Sequence, residues 1–309
     1  MKVLVTGGTG YVGRAVVRAL IGNGHDPVVL ARRSQPAALQ DGCEIRYADI
    51  TDLDATTRAL AGVDAICHLA GLTRVRDSWS AAAEYFRVNV GGTATLLSSA
   101  SPSASRGGVR RFVFASTAAV YGAPEQQPMS EALPLDPPHP YAASKVAAEQ
   151  SIEWQARTGE VGAVVLRLFN VAGASDPDPT RIVPRVLAHL DGETASLQVN
   201  GDGTATRDYL HVDDAASAFA HAVEAAAPPG EVHHYNIGSG FGTSINDIIA
   251  AAERVTGRKA NVVHGPPAPE APALVCDPTR AITELNWKPH RSDLTRILTD
   301  AWQAARSTT

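Results

Sequence analysis

Short apolar runs and stretches of helical spacing alternate through the first half of the chain. Residues 3–5, 28–30, 45–47, 65–69, 112–115 and 163–168 have the length and side-chain branching of buried strands. Between them, residues 14–20, 51–60, 81–99 and 141–157 carry the spacing or composition of helices, and the last two are rich in alanine, a strong helix former. This alternation predicts an α/β fold, a parallel sheet doubly wound by helices on both faces. Ligands of such a sheet sit beyond the carboxyl ends of the strands, at the switch point. Gly7, Leu69-Ala70 and Ser116-Thr117 fall at such ends.

The second half is less regular. Proline and glycine cluster at 176–179, 228–230 and 265–272, marking loops. No internal repeat or long low-complexity tract is visible.

A chain of 309 residues can hold a full dinucleotide fold and a smaller lobe. Its net charge of −5 argues against nucleic acid as a dominant partner. No apolar run approaches the ~20 residues of a membrane span, and the first apolar strand breaks at glycines too early for a signal peptide. Cys43, Cys67 and Cys276 form no paired motif and read as reduced thiols of a cytoplasmic protein. His233-His234 lacks partners at metal spacing, His68 reads as a packed strand residue, and no metal site is expected.

Two local patterns carry chemistry. Val3-Leu4-Val5, then Thr6-Gly7-Gly8-Thr9-Gly10-Tyr11-Val12-Gly13, then a helical run reads as strand, glycine turn, helix. Gly7 permits the tight turn, Gly10 the approach of a pyrophosphate, and Gly13 close packing of helix on strand. The helix start at Tyr11, Val12 and Gly13 offers backbone N–H groups to phosphate. Further on, Tyr141 and Lys145 stand four residues apart on one helical face. A free tyrosine, with a pKa of about 10, is a poor base near neutrality. An ammonium beside it favours the phenolate, which can then take a proton from a hydroxyl. Lysine is otherwise scarce, at positions 2, 259 and 288.

These motifs, with Asp49-Ile50, His68-Leu69-Ala70-Gly71, Asn89 in Asn89-Val90-Gly91-Gly92-Thr93, Ser116–Gly122, Arg167–Ala174, Gly201-Asp202-Gly203, Arg207–Asp214 and Tyr235–Gly238, resemble the extended short-chain dehydrogenase/reductase family. The resemblance covers nearly the whole chain. It is closest to the nucleotide-sugar epimerase and dehydratase branch, and within it to the UDP-sugar 4-epimerases. It implies a dinucleotide-binding domain over 1–170, with returning segments near 208–215 and 232–243. The substrate lobe would occupy mainly 171–309. Thr117, Tyr141 and Lys145 would be catalytic, acting on a sugar carbinol while a nicotinamide accepts hydride. Gly7, Gly10, Tyr11, Val12, Gly13, Arg32, Asp49, Ile50, Leu69, Ala70, Asn89, Tyr141 and Lys145 would hold the cofactor, with Asn89 steadying the lysine. Thr117, Asn170, Arg181 and Arg207 would hold a nucleotide sugar, with UDP the expected nucleotide and Arg185 a further candidate. The helices near 81–100 and 142–156 would pair across a homodimer axis.

Three departures shape the reading. Ala118-Ala119 stands where the family's 4,6-dehydratases carry an Asp-Glu pair, which argues against dehydration by that route and leaves epimerisation, reduction or oxidation. The second strand ends Val29-Leu30-Ala31-Arg32-Arg33 with no acid for the ribose hydroxyls of NAD, so the NAD(P) cofactor leans toward NADP through an arginine on the 2′-phosphate. The late stretch from Gly265 to Glu270 has no arginine where the family often clamps diphosphate, and Leu274 lies where sugar room is tuned. The resulting expectation is a nucleotide-sugar 4-epimerase. An NADPH-dependent reductase (or dehydratase) of a nucleotide sugar or similar carbonyl compound is the alternative. A dinucleotide-sensing regulator is a further one, disfavoured because Thr117, Tyr141 and Lys145 occur together.

Overall fold

The structure, a computed structural model, describes residues 1–32, 43–101, 109–267 and 271–307. In chain order the strands are β1 (Lys2–Thr6), β2 (Asp26–Ala31), β3 (Glu44–Tyr47), β4 (Ala65–His68), β5 (Arg111–Thr117), β6 (Gly162–Leu168), β7 (Asn170–Ala172), β8 (Leu197–Asn200), β9 (Thr206–His211), β10 (Val232–Ile237), β11 (Gly242–Ser244), β12 (Val262–Gly265) and β13 (Ala273–Leu274). The helices are α1 (Tyr11–Gly22), α2 (Leu53–Ala59), α3 (Val75–Ser80), α4 (Ala82–Tyr85), α5 (Gly92–Ala100), α6 (Pro140–Ala156), α7 (Ile182–Leu190), α8 (Val212–Ala225), α9 (Ile245–Thr256), α10 (Thr279–Glu284) and α11 (Leu294–Ser307).

Seven strands form one sheet in the order β3-β2-β1-β4-β5-β6-β10, parallel throughout. Successive side chains of a strand point to opposite faces, so each strand feeds two cores. Val3, Val5, Val29, Cys67, Val113 and Leu166 bury against α1 and α8. Leu4, Val28, Leu30, Ile66, Phe112 and Phe114 bury on the other face, with side chains of α2, α5 and α6. Leu4 has no exposed surface, and cutting such a side chain to alanine costs about 2–5 kcal/mol. The order reverses between β1 and β4, which opens a crevice at their carboxyl ends.

A third core lies under α7, α9 and α11, where Val186, Leu187, Ile248, Ile297 and Trp302 pack with Leu197 of β8. The small sheet beside it is built on β9, which pairs with β7 and β13 in parallel and with β11 antiparallel. The segment near 208–215 runs from this small sheet into α8. The strand stays in the small sheet, and α8 makes the return by packing on α1.

The helix expected over 81–99 is interrupted. Phe86–Gly91 forms a π-helical turn between α4 and α5, with Asn89 buried at its centre. Such turns cluster at functional sites. Helix α6 starts as the sequence suggests. Pro140 takes its first position, and the His139 ring accepts the Ala142 N–H at 3.1 Å. Among the described residues no helix is long and apolar enough to cross a membrane.

Candidate active site

One cavity of about 840 Å³ runs along the carboxyl edge of the large sheet to the small one. Its first wall is backbone. Gly7 sits at φ +71°, and a Cβ there would lie 2.8 Å from the Ala70 nitrogen. A Cβ on Gly13 would lie 2.0 Å from the Gly7 carbonyl oxygen, so the third glycine lets the helix close on the turn itself. Gly10 caps α1 with no side-chain bond, leaving the Tyr11, Val12 and Gly13 amides at the cavity wall without intrahelical acceptors. This glycine cradle and bare helix start fit a dinucleotide pyrophosphate.

Asp49 and Ile50 line the same cavity past the end of β3. The Asp49 carboxylate accepts the Thr51 N–H and hydroxyl at 2.9 and 2.7 Å, which with the charges of Arg32 and Arg87 holds its pKa low. Arg32 lines the cavity at the end of β2. Arg33 lies outside the described residues. Leu69 and Ala70 line the floor, and both their amides bond the Thr6 hydroxyl.

Tyr141 opens α6 at the cavity wall. The His139 ring stacks on it at 5.9 Å, and Tyr85 meets it edge-on at 6.4 Å. Thr117, at the end of β5, lines the same cavity, and its hydroxyl accepts the Ala119 N–H at 3.2 Å. Burial pushes the Tyr141 phenol up to about 12, while the Thr117 hydroxyl and the Arg181 guanidinium pull it down. Lys145 borders the same cavity but is anchored behind it. Its Nζ donates to the Ala115 carbonyl at 2.8 Å and lies 4.5 Å from the Phe114 ring centre. Burial lowers the ammonium to about 8, against the opposing charge of Glu149. The expected pull of Lys145 on Tyr141 thus takes another form here: the groups that lower the phenol are Thr117 and Arg181. Asn89 accepts the Leu72 N–H at 2.8 Å and donates to the Leu72 carbonyl and the Ser144 hydroxyl at 3.0 and 2.9 Å. It is tied to the residue preceding Lys145.

The second wall is made of side chains. Asn170 opens β7 and donates to the Asp208 carbonyl at 3.3 Å. Arg207 of β9 donates to the Thr206 and Ala271 carbonyls at 2.8 and 2.9 Å. Arg181 caps α7 and pairs with Asp176 and Asp178 at 3.3 and 3.8 Å. All three line the cavity. Arg185 turns away to the Gln198 carbonyl at 2.5 Å, and Leu274 packs beside Val120, Tyr121 and Cys276. Of the late loop from Gly265, residues 268–270 lie outside the described residues.

Several participants escaped sequence reasoning. Asp176 lines the cavity with its side chain only 3% exposed, and burial raises its pKa. Arg87 and Glu84 reach the cavity from the broken helix. Behind Lys145, Glu149 pairs with Arg167 at 2.7 Å, both nearly fully buried, and accepts a short hydrogen bond from Ser116. Arg167 donates on to Tyr121 at 2.8 Å. The spacing of Lys145 and Glu149, one helical turn, was the available signal.

A glycine cradle at the carboxyl edge of a parallel sheet, with a threonine, a tyrosine and a lysine lining one cavity beside it, has the build of an extended short-chain dehydrogenase/reductase. The NAD dependent epimerase/dehydratase family matches residues 3–238. The UDP-glucose 4-epimerase of Streptomyces lividans is 38% identical over 322 residues, spanning 98% of this chain and 95% of the relative. A solved UDP-glucose-4-epimerase from Stenotrophomonas maltophila, with bound NAD and formylated UDP-arabinopyranose, superposes with a TM-score of 0.92 at 30% identity, over 100% of this chain and 98% of that one. The UDP-glucose 4-epimerase of Thermotoga maritima with UDP-glucose gives 0.89 at 30% identity, over 100% and 99%. The chain belongs to the NAD dependent epimerase/dehydratase family, in its nucleotide-sugar epimerase branch.

Proposed function

We propose that this nucleotide-sugar 4-epimerase acts on UDP-sugars, interconverting UDP-glucose and UDP-galactose with a resident NAD. The observation that carries the reading is the Thr117–Tyr141 hydroxyl pair in the dinucleotide cavity, flanked by Ala119. One acid–base couple serves a carbinol proton. A methyl group beside it cannot expel water, so dehydration lacks its second acid.

When bound, the nicotinamide supplies reversible hydride acceptance. The Gly7–Gly13 turn, Asp49, Ile50, Leu69, Ala70 and Lys145 are the residues that hold it. Tyr141 Oη takes the proton of the C4 hydroxyl and returns it once the ring presents its other face. Thr117 Oγ, lining the same cavity, orients the same hydroxyl. Asn170, Arg181 and Arg207 hold the UDP diphosphate, where paired guanidinium donors suit phosphate oxygens. Residues 1–170, with 208–215 and 232–243, serve the dinucleotide, and the rest of 171–309 serves the sugar nucleotide.

NAD is favoured over NADP by charge. Arg32 acts on the Asp49 carboxylate beside it, and a 2′-phosphate would face that carboxylate too. The second reading, an NADPH-dependent reductase, draws on Arg32 standing in the cavity where the family's acid would be. The enzyme works as a homodimer through the helices around the π-helical turn and α6, where Trp79, Phe86 and Trp154 are 66, 41 and 68% exposed. Its three free cysteines suit the reducing cytoplasm.

The test is incubation of the purified protein with a panel of UDP-sugars and no added dinucleotide, with mass analysis of the nucleotide released on denaturation. A C4-inverted product and NAD support the proposal. Reaction only on adding NADPH, with its net consumption, replaces it by the reductase.

A further inference from the structure

We propose that His68 and Thr93 are positioning residues: with Thr6 they form a closed hydrogen-bond relay that joins the dinucleotide turn to Asn89 and, through it, to the helical turn bearing Tyr141 and Lys145. Sequence reasoning leaves His68 as strand packing, and the proton path described above does not use it.

The donors and acceptors allow one arrangement. The Thr6 hydroxyl, just before Gly7, accepts the Leu69 and Ala70 N–H groups at 3.2 and 3.1 Å. A hydroxyl has two acceptor sites and one proton. The Leu69 N–H is shared with the Thr6 carbonyl, also at 3.2 Å, and with both amides on its acceptor side the hydroxyl turns its proton to His68 Nδ1, 2.7 Å away. That makes Nδ1 the acceptor and puts the ring proton on Nε2. Nε2 lies 3.0 Å from the Thr93 hydroxyl, which therefore accepts. Thr93 then spends its own proton on the Asn89 carbonyl at 2.6 Å, inside the π-helical turn. The Asn89 side chain continues to Ser144, whose hydroxyl donates to the Tyr141 carbonyl at 2.7 Å.

Thr6, His68, Thr93 and Ser144 have no exposed surface, and Asn89 has 2%. Water therefore has no part in the relay, and a lost link leaves a buried polar group unpaired. His68 is also fixed from the sides, 5.9 and 5.5 Å from the Phe112 and Phe114 rings. Phe114 carries the Lys145 ammonium on its face. Burial, reinforced by the Lys145 charge, holds the imidazole down to about 3, so the ring stays neutral. The relay ends close to the reaction centre. A Cβ on Gly71 would come 2.8 Å from Asn89 Oδ1 and 3.8 Å from Lys145 Nζ.

The proposal rests on the assignment of Tyr141 and Lys145 to the reaction, and its test has an arm free of that assignment. The first arm compares Thr93→Val, which keeps the shape and removes the hydroxyl, with Thr93→Ser, which restores it. A slackened helical turn misplaces the phenol without touching the sugar site. The expected outcome for Thr93→Val is a kcat about tenfold lower, with KM for UDP-galactose within about twofold and the same bound dinucleotide. Thr93→Ser should return kcat to within about threefold of wild type. Wild-type kcat in Thr93→Val, or no rescue by serine, overturns the relay. The second arm reads the His68 ring by nitrogen-15 NMR in the wild-type holoenzyme at neutral pH. A slowly exchanging proton on Nε2 is expected, and one on Nδ1 overturns the proposal even if Thr93→Val fails to fold. A wild-type protein without epimerase activity sinks the enzyme assignment and leaves the NMR result to judge the relay.

Discussion

The two walls of the cleft are built by different means. On the dinucleotide side, geometry is set by backbone. Gly7 and Gly13 stand where a Cβ would collide with main-chain atoms, and the supporting polar groups are buried and mutually bonded. On the opposite side, Asn170, Arg181 and Arg207 reach in from three separate elements. Arg181 and Asn170 are exposed, and Arg181 is held by carboxylates it could exchange for a phosphate. A backbone cradle tolerates one residue type. A charged wall tolerates substitution, because an arginine can deliver its fork from several positions. Under the proposed function, the first wall serves a constant ligand and the second can adapt to different sugars.

Substitutions separate the two walls. Gly13→Ala pushes a methyl onto the Gly7 carbonyl and should purify without dinucleotide and without turnover. A variant that keeps full nucleotide content would show the cradle to be slack. Glu149→Gln leaves the Arg167 guanidinium buried without a countercharge, with an expected loss of about 3–5 kcal/mol in urea unfolding. A smaller loss than about 1 kcal/mol would mean that water or Tyr121 satisfies the arginine. Arg207→Ala should raise KM for the UDP-sugar roughly 10- to 100-fold with a smaller change in kcat, as for one lost hydrogen-bonded charge. If kcat falls instead and KM holds, the second wall takes part in the chemistry.

The smallest effect is one of pH. Burial holds the Lys145 ammonium at about 8, below the ordinary 10.5, so the folded protein releases that proton before the unfolded chain does. The cost of burying the charge is full below about 8 and fades as pH rises from there to 10.5. Lys145→Met escapes this cost, so its stability relative to wild type should be highest near neutral pH and decline across that window. A gap that stays constant in denaturant midpoints between about pH 7 and pH 10 would place the lysine's proton elsewhere.

The asymmetry of the walls also explains what the sequence disclosed. Gly7, Gly10 and Gly13 were legible because the backbone dictates the residue, and the strands because their apolar runs must fill two cores. The broken helix was hidden. One extra residue in a turn leaves the alanine-rich pattern of 81–99 almost unchanged, yet it decides where Arg87 and Asn89 point. Asp176 was hidden in a proline-bordered loop, whose path no periodicity reports. The Glu149–Arg167 pair joins a helix to a strand 18 residues away, and only folding brings them together. Arg185 shows the converse. It lies one turn from Arg181, yet it bonds the Gln198 carbonyl instead of facing the cleft.

The claim most in need of a direct answer is that the Tyr141 oxygen carries the sugar's proton. Tyr141→Phe removes that oxygen and little else, so turnover of UDP-galactose, measured alongside the bound dinucleotide, isolates its contribution. The expected result is a loss of about 10²- to 10⁴-fold in kcat with the dinucleotide still in place. Turnover within a few-fold of wild type would show that another group moves the proton.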